Sequence, residues 1–75
     1  MTDKTKRDIR AKARLTYGLL NILKCDIDNL RVDVNDYNLD NLSESIRETN
    51  ETLGKLIEVV AELELIIYLS KMNEH

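Results

Sequence analysis

The sequence predicts an all-α fold, a long antiparallel helical hairpin of coiled-coil type that pairs with a second copy into a four-helix bundle. Three observations carry that reading. Leu39, Leu42, Ile46, Thr49, Leu53, Leu56, Val60, Leu63, Ile67 and Ser70 follow one another at alternating spacings of three and four. That unbroken heptad calls for a long helix with a partner helix beside it. A second series at the same spacing runs Ile9, Ala13, Thr16, Leu20, Leu23, Ile27, Leu30, Val34. Between the two lies Asn35-Asp36-Tyr37-Asn38, in a chain that has no proline and only two glycines.

The first helix is expected over about residues 5–34. Thr5 and Asp8 stand in capping-box spacing at its start, although Asp is shorter than the usual Glu. The turn is expected at 35–39, because Asn and Asp bond readily to nearby backbone groups and tolerate turn geometry. Asn38 or Asp40 is the expected cap of the second helix, over about 40–72. A short link makes the helices antiparallel neighbours. Thr49-Asn50-Glu51-Thr52 and Gly54 have poor helix propensity. The heptad passes through them in register, so one continuous second helix is expected rather than a break.

Residues 1–75 form a single domain in this reading. A chain of 75 residues buries a low fraction of its surface, and small folds are usually supplemented by disulfides, metals or oligomerisation. Cys25 is the only cysteine and His75 the only histidine, so oligomerisation is what remains. The apolar residues that lie off the two series support this. Leu15, Leu19 and Ile22 on the first helix, and Ile57, Val59, Ile66, Tyr68 and Leu69 on the second, form a further stripe. It is expected to be a self-association or partner interface, because monomers seldom expose large apolar patches.

Charge is uneven along a chain of net charge −3. Residues 1–14 carry six cations against Asp3 and Asp8, while residues 26–51 carry eight acids against Arg31 and Arg47. The favoured account of the cations is pairing within the hairpin, with Glu58, Glu62, Glu64 and Glu74 alongside residues 4–14. The alternative is contact with nucleic acid or an acidic partner through Lys6, Arg7, Arg10 and Arg14. Tyr37 is expected to pack over the turn, or else to offer a contact to a partner.

No catalytic, cofactor or metal site is expected, and the chain is not read as an enzyme. Ser43, Ser45 and Ser70 have no histidine near in sequence except terminal His75, which leaves no base for a hydroxyl nucleophile. Cys25 reads as a buried or half-buried thiol near Ile22. No Glu-x-x-His pair and no glycine-rich phosphate loop is present. The longest apolar run, Leu65 to Leu69, is too short for a bilayer, and no apolar stretch follows the basic N-terminus. A cytoplasmic protein with a reduced cysteine is expected.

What remains is a small non-enzymatic protein-interaction module, a regulator or inhibitor that works by binding another protein. Its brevity and seven asparagines suit an accessory protein of a phage or mobile element. A small dimeric nucleic-acid-binding protein is the alternative, and a structural assembly module the third reading.

Overall fold

A computed structural model describes residues 1–73. Two helices, α1 (Asp3–Asp36) and α2 (Leu39–Asn73), pack against each other along a rod of 56 × 15 × 12 Å. The expected hairpin is present, and each helix reaches further than its sequence signals suggested.

α1 begins before Thr5 because Thr2, and not Thr5, is its cap. The extended backbone of Thr2 places its hydroxyl to accept from the Thr5 N–H at 3.1 Å. Asp3 then sits in the first turn, where the helix dipole favours an acid. At the other end Tyr37 adopts a left-handed conformation, φ 53° and ψ 32°. The Tyr37 and Asn38 amides return to the carbonyls of Val34 and Asp33 at 3.2 and 3.3 Å. These bonds form a Schellman closure, which satisfies carbonyls that the ended helix leaves open. Asn38 caps α2 through its side-chain oxygen, which accepts from the Asn41 N–H at 3.2 Å.

α2 runs without a break through Thr49–Gly54. The threonines fit because their hydroxyls turn back onto the helix: Thr49 donates to the Ser45 carbonyl at 2.8 Å and Thr52 to the Glu48 carbonyl at 3.2 Å.

The seam between the helices corrects half of the heptad assignment. One column of each series faces the other helix: Ile9, Thr16, Leu23 and Leu30 on α1, and Leu42, Thr49, Leu56, Leu63 and Ser70 on α2, all half-buried. The second inward column lies three residues on from this one, not four. It holds Lys12, Leu19, Asp26 and Asp33 against Ser45, Thr52, Val59 and Ile66. Leu19 and Val59 are the most buried apolar side chains, at 8% exposure each. Ser45 and Thr52 are as deeply placed, and they donate to Asp33 and to Asp26, the latter at 2.8 Å. A series alternating three and four contains both candidate columns, so spacing alone does not choose between them. The paired Asp and hydroxyl side chains do.

Candidate interaction surface

The column displaced from the seam forms an outward face. On α1 it is Leu20, Ile27 and Val34; on α2 it is Leu39, Ile46, Leu53, Val60 and Ile67. These side chains are 38–76% exposed. On both helices they stand four residues beyond the central column. In an antiparallel pair equal heptad positions flank one another, so both columns lie on the same side of the hairpin. Between them the half-buried central leucines make the floor of a shallow apolar groove along the rod.

The two edges of this groove differ in charge. The next residues outward on α1 are Arg10, Tyr17, Lys24 and Arg31, all exposed. Those on α2 are Ser43, Asn50, Ile57, Glu64 and Lys71, also exposed. The acids of α2 gather on the other flank, where Glu44, Glu48, Glu51, Glu58 and Glu62 are exposed. Thus the apolar side is bordered on α1 by cations, with Asp28 beside Lys24 and Arg31, and on α2 by nearly neutral residues, and most of the acidic surface faces away.

The residues expected to form an outward stripe are divided by the structure. Leu19 and Val59 are buried in the hairpin's own seam, and Ile66 is half-buried there. Leu15, Ile22 and Leu69 are 48–52% exposed on the flank opposite the groove. Ile57 lies on the groove's α2 edge and Tyr68 beyond it, 69% and 60% exposed. The larger apolar face is therefore made of residues that the heptad had assigned to the interior.

Two further expectations are corrected. Tyr37 is 86% exposed, so it does not pack over the turn, because the left-handed cap carries its ring outward. Cys25 is exposed rather than tucked beside Ile22, since it falls on the side of α1 away from α2.

Of the N-terminal cations, Lys12 pairs across the hairpin with Glu62. Lys6, Arg7, Arg10 and Arg14 are exposed and make no ion pair among the described residues. They occupy one outward arc of α1's first three turns. Glu74 and His75 lie outside the described residues. Among the described residues no group of three His, Cys, Asp or Glu side chains is placed to hold a metal ion, and no helix is long and apolar enough to cross a membrane.

Compared with family models, curated proteins and solved structures, the chain matches none. The reading of its function therefore rests on the hairpin's own surfaces.

Proposed function

We propose that this chain is a small, non-enzymatic protein-interaction module, a cytoplasmic regulator or inhibitor that acts by binding another protein. One observation carries the proposal: a heptad-spaced apolar face runs along α2 from Leu39 to Ile67 and along α1 from Leu20 to Val34, and nothing in the hairpin covers it. Spacing of this kind fits helices laid along the rod, as in a four-helix bundle. A second copy is the simplest source of those helices, and the dimer then presents its acidic flanks and the two Tyr37 turns to a partner. Tyr37 suits that role, being an exposed aromatic ring at a backbone conformation that L-residues other than Gly and Asn seldom adopt. The test is capture with the tagged wild-type chain against Tyr37→Ala, at a sensitivity reaching micromolar affinity. A partner retained by the first and lost by the second supports the reading. No partner at that sensitivity overturns it in favour of a purely structural assembly role.

The unpaired arc of Lys6, Arg7, Arg10 and Arg14 favours a second reading, contact with nucleic-acid phosphates. Retention of DNA or RNA at low salt, abolished in the triple variant Arg7→Glu, Arg10→Glu, Arg14→Glu, would support it. Absence of retention at low salt ends it.

A further inference from the structure

We infer that the apolar groove is covered by a second copy of this chain in one orientation: the rods side by side with both turns at the same end, and α1 of each lying on α2 of the other. This rests on the reading of the chain as a bundle-forming module, and it adds the arrangement.

The occupant follows from size and supply. Leu19 and Val59 are the only large apolar residues buried to 8% or less, and no side chain among the described residues is buried below 2%. A hairpin with so thin an interior needs its outer face covered whenever it is folded, and the one helix pair always present with it is another copy. The broad side of the rod, 56 by 15 Å, matches in outline the roughly 800 Å² that each partner contributes to a stable interface.

The orientation follows from charge. A closed two-fold pair on this face has two solutions. With the rods reversed, α1 lies on α1 and α2 on α2. Arg10 of one copy then lies at the level of Arg31 of the other, with Asp28 as the one acid beside them, and Lys24 lies at the level of Tyr17. Two such charges 4 Å apart repel by about 1 kcal/mol in water and about 4 kcal/mol at an effective dielectric constant near 20. With the turns at the same end, those cations border the other copy's α2 edge, where Glu64 lies in the same half of the rod as Arg10 and the rest are neutral except Lys71. Whole-helix charge agrees, since α1 carries eight cations against six acids and α2 seven acids against three cations. This orientation also brings the two acidic turn regions to one end. Asp28 stays beside Lys24 and Arg31 at the groove's edge, while several of the other acids, Asp26, Asp33 and Glu48 among them, sit on faces turned away from the contact. Across two layers of helices that is roughly 20 Å at 8–10 Å per layer, beyond the ~8–10 Å screening length of physiological salt.

The test uses the full chain with Cys25→Ser and Asn35→Cys, spin-labelled at the new thiol in the last turn of α1. Light scattering gives the mass, and pulsed electron paramagnetic resonance gives the distance between labels. The expected result is a dimer with labels about 30 Å apart or closer. Reversed rods would put them about 45 Å apart by helical rise, which overturns the orientation and leaves the bundle-forming reading standing. A monomer at every concentration overturns both. Ile27→Asp and Ile22→Asp settle the face, with Ile27→Asp expected to abolish the dimer and Ile22→Asp to retain it. A dimer lost with Ile22→Asp and kept with Ile27→Asp overturns the choice of face.

Discussion

At the scale of single residues, Tyr37 and Gly54 each support a prediction. The composition of Asn35-Asp36-Tyr37-Asn38 marks a turn, and of the two expected caps, Asn38 and Asp40, Asn38 is the one used. That the left-handed position falls on Tyr37 was not legible, because Asn at 35 or 38 is the better candidate by type. A left-handed residue with a Cβ costs roughly 1–2 kcal/mol. Tyr37→Gly removes that cost and gives up almost no packing, since the ring is 86% exposed. The variant is expected to be about 1 kcal/mol more stable in chemical denaturation while losing any partner that grips the ring. Unchanged or lower stability would mean that the ring packs in solution. Gly54 shows the same logic without a functional role. A Cβ built there meets nothing within 4 Å, and the residue is in mid-helix with negative φ. Gly54→Ala is expected to add up to about 1 kcal/mol of stability. Destabilisation would show that something closes over that flank, as a partner helix would.

At the scale of elements, the sequence placed both helices, the turn and the continuity of α2, and it located one seam column of two. The other was hidden because Ile46, Leu53, Val60 and Ile67 look like better interior residues than Ser45, Thr52, Val59 and Ile66. The signal that would have found it is pairing: Asp26 and Asp33 stand seven apart on α1, as Ser45 and Thr52 do on α2. An acid facing a hydroxyl at both levels satisfies polar groups that would be costly to bury alone. Such pairs fix register, as single polar positions do in coiled coils. Asp26→Leu with Thr52→Val is expected to raise thermal stability, because an apolar layer replaces the bond. Asp26→Leu alone is expected to cost less than a typical buried deletion, since the Thr52 hydroxyl keeps the Glu48 carbonyl as acceptor. A large loss in the double variant, seen by circular dichroism melts, would show that the polar layer contributes net stability and does not act on register alone. The Lys12–Glu62 pair should matter less. With side chains 34% and 46% exposed, its removal is expected to cost no more than about 1 kcal/mol.

At the scale of the whole molecule, folding and pairing are expected to be a single event. The hairpin exposes its most apolar column and keeps hydroxyls and carboxylates in half of its seam, so stability gained inside the rod is small compared with what covering the groove supplies. If the pair unfolds directly to two separate chains, each tenfold dilution removes about 1.4 kcal/mol from the folded state. For a folding unit of about 150 residues a change of 1 kcal/mol moves the midpoint by about 2–4 °C. The melting temperature is therefore expected to fall by about 3–6 °C per tenfold dilution. Ile27→Asp, which puts a charge in the groove, is expected to flatten that dependence along with lowering the midpoint. Ile22→Asp, on the opposite flank, is expected to leave the slope as it was. A melting temperature independent of concentration in the unaltered chain would mean that one hairpin folds alone. The groove bordered by Arg10, Lys24 and Arg31 would then be an open site, and its basic edge would select helices with acidic flanks.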